Sequence, residues 1–191
     1  MANTTKNNAG VQIRRLVYAS LCLALCMVLP FVTGQIPQIG RMLSPMHIPV
    51  LLCGFLCGWE YGLVVGLIAP LLRFVLFGMP GMPSALIMTF ELAAYGAAAG
   101  ILYRLFPQKP VFIYIALILA MLIGRVVWGI ASIIILGVSG AEFGFQAFLA
   151  GAFINAWPGI ILHIILIPLI VIALQRAKLI PGEKETLKAV D

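Results

Sequence analysis

Long apolar segments, separated by short connectors rich in polar residues, Gly or Pro, run through most of the sequence. About 20 consecutive apolar residues cross a bilayer as a helix, and a helix satisfies its own backbone hydrogen bonds in lipid. The pattern predicts four clear membrane helices, at about 14–33, 84–103, 110–136 and 147–174. The alternation expected of membrane β-strands is missing, which disfavours a β-barrel.

The segment 46–77 can form either one long helix or two short helices broken at GWEYG, Gly58 to Gly62. The positions of Lys and Arg decide between these alternatives, because cytoplasmic connectors are enriched in both residues. With the break, the basic N-terminus, the Arg104/Lys109 connector and the basic C-terminal segment all lie on one side. We therefore predict an all-α membrane protein with six transmembrane helices and both termini in the cytoplasm.

This topology divides the chain into one membrane domain and two polar ends. The predicted parts are a cytoplasmic N-terminal segment, a six-helix membrane domain and a cytoplasmic C-terminal tail, at 1–12, 13–178 and 179–191. Three predicted external connectors are rich in Gly or Pro, at 34–46, 78–83 and 137–146. Because such segments form turns and adaptable loops, we expect a ligand to enter from the outer face.

Composition supports an integral membrane protein in a bacterial cell membrane. Of 191 residues, 63% are hydrophobic and 9% are charged, and the mean hydropathy is +1.13. Soluble domains carry about 25% charged residues. The net charge of +6 comes mainly from the chain ends and short connectors, where it orients the protein rather than binding nucleic acid.

Four cysteines form two pairs with four-residue spacing, Cys22 with Cys26 and Cys53 with Cys57. Each spacing places a pair on one helical face, and four thiolates can bind zinc. We favour the alternative that they are small, polarizable packing residues inside the membrane. No metal, cofactor or disulfide framework is expected.

Polar side chains inside the apolar segments are informative because a charge at the bilayer centre costs about 2.5–3.5 kcal/mol on insertion scales. Arg73, Glu91, Arg125 and Asn155 lie on four different predicted helices, and their depths place them in the outer half of the membrane or near its middle. His47 begins the second span at the same surface. We interpret them as a polar chamber that opens outward, with Glu91 paired to one of two cationic anchors, Arg73 and Arg125.

Such a pair leaves one arginine free to hold a carboxylate through two parallel hydrogen bonds. The predicted ligand is therefore a small anionic or carboxylate-bearing molecule. Trp128 and Trp157, which lie at similar depth, are candidates for stacking on it.

Structural roles are alternatives for several of these residues. Glu91 and an arginine can simply fix helix register, Arg73 can extend to the interface, and Asn155 can bridge helices. His47 is equally compatible with an N-terminal helix position. His163, which lies among Ile and Leu, is interpreted as a packed helix residue rather than a ligand contact.

Small residues on two helices indicate close helix contacts. On the fourth span they predict an internal neighbour. On the first span, Ala19, Ser20, Leu23 and Ala24 are candidates for contact with a separate protein.

The chain resembles the substrate-binding S components of energy-coupling factor (ECF) vitamin transporters over about residues 10–178. The resemblance is carried by SPMHIPVLLCGFLCGWEYGLVVGLIAPLLRFVLFGMPGMPSALIMTFELAAYG, with support from MLIGRVVWG and GAFINAWPGIILHIILIP. It implies a six-helix bundle that captures a vitamin outside the cell and then associates with a transmembrane T component and two ATPases. The membrane complex would release the vitamin inside.

The resemblance also implies positions for the ligand and partner sites. The ligand would contact the first outer loop and the later helices, here at Arg41, Glu91, Arg125, Asn155 and Trp157. The family's Ala-x-x-x-Ala partner motif is replaced by Ser20/Ala24 and Ala19/Leu23, which changes the expected contact register. Two arginines against one membrane acid favour pantothenate as the vitamin.

Other functions are distinguished by the chemistry that they require. An intramembrane enzyme needs clustered catalytic groups, and no G-x-S-x-G sequence is present, so no enzymatic activity is expected. The chain also lacks the G-x-x-x-x-G-K-[ST] phosphate loop, so ATP would be hydrolysed by other subunits. The main alternative is a self-contained secondary transporter that uses Glu91 for proton coupling; a passive assembly protein would bind no small molecule.

Overall fold

The structure is a computed structural model that describes residues 2–32, 40, 42–107, 109–138, 144–177 and 179, with side chains from residue 10 onward. These residues are almost all helical and contain no strand. The helices are α1 (Ala2–Val32), α2 (His47–Cys57), α3 (Trp59–Phe77), α4 (Ser84–Leu105), α5 (Pro110–Val138), α6 (Phe145–Leu149) and α7 (Trp157–Arg176). A single π-helical turn, Ala150–Ile154, follows α6.

Five segments within the described residues are long and apolar enough to cross a membrane: Gly10–Val32 of α1, and the whole of α3, α4, α5 and α7. The prediction of a multi-pass helical membrane protein is confirmed. The 11 residues of α2 would span only about 16 Å, which is shorter than the hydrocarbon core. The six-span count and the location of the termini stay predictions.

The segment 46–77 is divided by Gly58, as the sequence predicted. Gly58 has φ 98° and ψ 170°, a backbone conformation that is accessible almost only to glycine. Its N–H donates to the Gly54 carbonyl at 3.1 Å and so caps α2, while α3 starts at the next residue. The reversal at this one residue lets both helices pack against α4.

Helix α4 lies at the centre of the fold, where it contacts α2, α3 and α5. It is the most buried of the five long apolar helices described. Its approach to α3 is so close that a Cβ added to Gly62 would lie 2.5 Å from the Gly96 carbonyl oxygen. The small residues of the fourth span therefore serve an internal helix contact, as predicted.

Two helix boundaries differ from the sequence prediction. Helix α1 begins at Ala2 rather than near residue 14, because apolar content marks the membrane-crossing part and not the start of the helix. The predicted helix 147–174 is interrupted before Trp157. Pro158 explains the interruption, since proline has no N–H to donate to the preceding turn and its ring would clash with the carbonyl of Ile154 in a continuous helix.

Candidate functional site

A buried ion pair lies where α2, α4 and α5 meet. Arg125 Nη1 donates to Glu91 Oε1 at 2.9 Å, and His47 Nε2 lies 3.2 Å from the same oxygen. Glu91 and His47 are buried, and the Arg125 side chain is 11% exposed. Three of the predicted site residues, supplied by three helices, are therefore in direct contact.

Tyr95 and His163 complete this group, which we call the polar cluster: His47, Glu91, Tyr95, Arg125 and His163. Tyr95 is one helical turn after Glu91, and their side chains are hydrogen-bonded. The Tyr95 ring packs edge-on against His47 with 5.1 Å between centroids, and the His163 ring stacks on His47 at 6.0 Å and 19°.

Sequence reasoning did not select Tyr95 as a site residue and interpreted His163 as a packing residue. The spacing between Glu91 and Tyr95 was an available signal, because residues four apart share a helix face. For His163, the signal was that the chain has two histidines, both within or beside apolar segments. Their stacking depends on how α2 meets α7, which no local pattern specifies.

Several nitrogen atoms of the polar cluster are buried without a hydrogen-bond partner: His47 Nδ1 and Nε2, His163 Nε2, and Arg125 Nε. His47 Nε2 nevertheless lies next to the Glu91 carboxylate. Leaving a buried polar group unpaired costs about 1–3 kcal/mol, so the cluster keeps hydrogen-bonding capacity that its described neighbours do not use. The opposite charges of Glu91 and Arg125 balance within the cluster.

The last part of the first connector lies against the start of α7 beside the cluster. A Cβ on Gly159 would lie 2.6 Å from the Met42 carbonyl oxygen, and His163, one turn further on, is hydrogen-bonded to the backbone of Ser44. The connector is thus positioned next to a cluster residue. Arg41, which was predicted to contact the ligand from this connector, lies outside the described residues.

Arg73 lies in a different environment from the polar cluster. Its guanidinium donates from Nη1 to the Met27 carbonyl oxygen and lies 5.1 Å from the ring centroids of both Phe31 and Phe77. These contacts join the C-terminal ends of α1 and α3. The predicted role of Arg73 as a second cationic anchor for the ligand stays a prediction.

The remaining predicted ligand residues lie on or near the interrupted segment before α7. Asn155 and Trp157 are exposed, and the Asn155 N–H donates to the Ala150 carbonyl at 2.8 Å in the π turn. Trp128 on α5 is partly buried and stacks on Phe148, with ring centroids 6.1 Å apart. The ligand-binding roles of these three residues stay predictions.

An apolar groove of about 290 Å³ runs between α1 and α3. Three of the four predicted partner-interface residues, Ala19, Ser20 and Leu23, line it from α1. Glu60 is the acidic residue of its α3 wall. Ala24, the fourth predicted residue, is exposed on α1.

The four cysteines are buried, and no disulfide joins them. Thiol hydrogen bonds join Cys53 to Cys22 and to Cys57, and so connect α1 with α2. Across the described part of the chain, no group of three or more His, Cys, Asp or Glu side chains is arranged to hold a metal ion.

The fold and the polar cluster define a multi-pass helical membrane protein in which several helices supply one enclosed polar site. The family model for the substrate-specific component of ECF transporters matches residues 14–171, and the chain belongs to this family. No curated protein and no solved structure matches the chain significantly. The resemblance found in the sequence is confirmed: the protein is a substrate-specific transporter subunit of the cell membrane, a role that involves a small-molecule substrate and membrane partners.

Proposed function

We propose that this protein is the substrate-capture subunit of an ATP-driven vitamin uptake transporter. It binds a small vitamin or vitamin precursor at the outer face and delivers it inward after association with a T component and two ATPases. The observation that carries the proposal is that His47 and Arg125, from two helices, both contact Oε1 of Glu91 on a third helix. Residues from separate helices rarely bring buried charges together inside a membrane unless the site serves transport or binding.

Pantothenate is the proposed cargo. It is small and combines a carboxylate with hydroxyl and amide groups, which suits a site that has both arginine and imidazole nitrogens. The polar cluster forms the central contacts in this proposal. Arg41, Arg73, Trp128, Asn155 and Trp157 are proposed as further contacts around it.

The proposed arrangement has six spans, with 1–12 and 179–191 in the cytoplasm on either side of the membrane domain 13–178. In this arrangement the first connector, which adjoins the polar cluster, faces outward. The groove between α1 and α3, together with the neighbouring Ala24, receives the T component. The subunit itself performs no chemical step, and ATP is hydrolysed by the partner ATPases.

Uptake of radiolabelled pantothenate in bacteria that lack their own uptake system tests the proposal. The chain is expressed alone, with a T component and both ATPases, or with ATPases whose phosphate-loop Lys is replaced by Ala. We expect uptake only with the intact complex. Mass spectrometry of small molecules released from the purified chain then identifies the cargo independently of uptake.

The same assay separates the proposal from a self-contained secondary transporter. That alternative predicts uptake by the chain alone, driven by a proton gradient and abolished by Glu91→Gln. Hydrolysis of ATP by the purified chain would also contradict the proposed division of labour.

A further inference from the structure

We infer that the polar cluster binds the uncharged, hydroxyl-bearing end of the cargo, and that a carboxylate end lies away from it. The inference rests on the proposed function and specifies which chemical groups meet the cluster. It follows from which of the unpaired nitrogens carry a hydrogen and which do not.

His163 presents an unpaired acceptor. Its ring is hydrogen-bonded to the backbone of Ser44, whose N–H already donates to the Gly40 carbonyl at 2.9 Å. The Ser44 carbonyl is therefore the partner, and the ring must donate to it. Because Nε2 is the ring nitrogen without a partner, Nδ1 carries the hydrogen. A neutral imidazole has one donor and one acceptor, so Nε2 is a buried acceptor.

His47 presents a second acceptor. Its Nε2 lies 3.2 Å from Glu91 Oε1, and an ionised carboxylate can only accept, so the hydrogen of His47 belongs on Nε2. Arg125 already balances the charge of Glu91, so a neutral His47 leaves the cluster without net charge. His47 Nδ1 is then an acceptor, and it is buried without a partner.

Arg125 contributes the complementary donor. Its Nη1 is bonded to Glu91, whereas its Nε is buried and unpaired, and a guanidinium nitrogen can only donate. Among their buried unpaired nitrogens, these three side chains therefore offer two acceptors and one donor to a bound molecule. A group that matches them donates two hydrogen bonds and accepts one.

The pantoyl end of pantothenate has this pattern, since it carries two hydroxyl groups and one amide carbonyl. A carboxylate does not match, because it has no hydrogen for the two imidazole acceptors. It would also place a second negative charge beside Glu91. The hydroxyls are therefore assigned to His47 Nδ1 and His163 Nε2, and the carbonyl to Arg125 Nε.

Three compounds test this assignment on the detergent-purified full chain by calorimetry. They are pantothenate, pantothenol, in which a primary alcohol replaces the carboxylate, and a dideoxy pantothenate in which hydrogen replaces both pantoyl hydroxyls. On the wild-type protein we expect the dideoxy compound to bind at least about tenfold more weakly than pantothenate, because two buried acceptors lose their donors. Equal binding of these two compounds would overturn the inference.

A variant of His163 shows which end of the compound meets the cluster. His163→Phe keeps an aromatic ring against His47 but has no acceptor, and His163→Gln restores one. We expect His163→Phe to weaken pantothenate and pantothenol by the same factor, about tenfold, and to leave the weak binding of the dideoxy compound unchanged. His163→Gln should recover part of the loss.

The outcomes separate the inference from the proposed function. If His163→Phe weakens pantothenate but not pantothenol, the cluster binds the carboxylate; the inference is then wrong and the proposed function stands. If wild-type protein binds neither compound, the proposed cargo is wrong and the inference falls with it. The wild-type comparison remains decisive if His163→Phe does not fold.

Discussion

At the scale of single residues, the contact between Glu91 and Arg125 sets the character of the site. Glu91 is buried and the Arg125 side chain is only 11% exposed, and removing one partner of such a pair leaves an uncompensated charge, which costs about 3–5 kcal/mol. We expect Glu91→Gln and Arg125→Met each to lower the free energy of unfolding by about this amount. Unfolding of the purified variants in detergent measures the loss.

The double variant Glu91→Gln/Arg125→Met distinguishes a mutual pair from two independent contributions. It should be less destabilised than the sum of the single variants, because neither charge is then left alone. Glu60→Gln is the matched control, since Glu60 is an exposed acid, and we expect a change within about 0.5 kcal/mol. Additive losses would show that the two side chains do not stabilise one another.

Arg73 gives a second prediction at this scale. Its guanidinium contacts two aromatic rings and a backbone carbonyl, so Arg73→Met should lower the free energy of unfolding by about 2–3 kcal/mol. Arg104→Met, at an exposed site on α4, should cost less than about 1 kcal/mol. Calorimetry with pantothenate tests the proposed ligand contact of Arg73: we expect Arg73→Met to weaken binding by more than about tenfold, and affinity within about threefold of wild type would leave Arg73 with its structural role alone.

The sequence indicated the chemistry of the site better than its partners. Glu91 and Arg125 could be selected because charges in apolar segments are costly. The same reasoning could not show that Arg125 rather than Arg73 pairs with Glu91, because depth along a helix does not give the direction in which a side chain points. That direction follows from how α4, α5 and α3 rotate as they pack.

At the scale of helices, the α3–α4 contact depends on the absence of side chains. A Cβ on Gly96 would overlap the Gly62 backbone, so the helices must separate to admit it. Gly96→Ala should therefore lower the free energy of unfolding by about 1–3 kcal/mol, measured by unfolding in detergent.

Gly137→Ala is the control for this prediction. A Cβ at Gly137 meets nothing within 4 Å, so alanine should leave stability unchanged or raise it slightly through its higher helix propensity. If both variants had the same stability as wild type, the close approach of α3 and α4 would not be required for folding.

The helices also show which boundaries a sequence can predict. Gly58 marked a break because glycine and polar residues interrupt an apolar segment there, and α2 indeed ends at Cys57. The break before α7 was not predicted, because 147–174 is apolar enough to be interpreted as one continuous helix despite Pro158. Apolar content reports that a segment lies in the membrane, whereas proline and glycine report where its helix stops.

At the scale of the whole molecule, the predicted topology places the two chain ends on the same side of the membrane. Single cysteines at Lys6, Met82 and Lys184, introduced into a variant without native cysteines, test it with a membrane-impermeant thiol reagent. We expect Met82→Cys to react in intact cells, and Lys6→Cys and Lys184→Cys to react only after permeabilisation. Opposite accessibility of the two ends would exclude six spans.

In the proposed function, the protein joins the larger transporter complex through the groove between α1 and α3. Ser20 lines the groove and is exposed, so Ser20→Leu fills it without changing a buried contact or the polar cluster. We expect this variant to bind pantothenate with wild-type affinity. It should no longer co-purify with the T component, and its rate of pantothenate uptake should fall at least about tenfold. Val28→Leu, an exposed change on α1 away from the groove, should keep both activities. If Ser20→Leu assembled and transported normally, the partner would have to dock on another face, because a leucine side chain leaves no room for a close helix contact at this position.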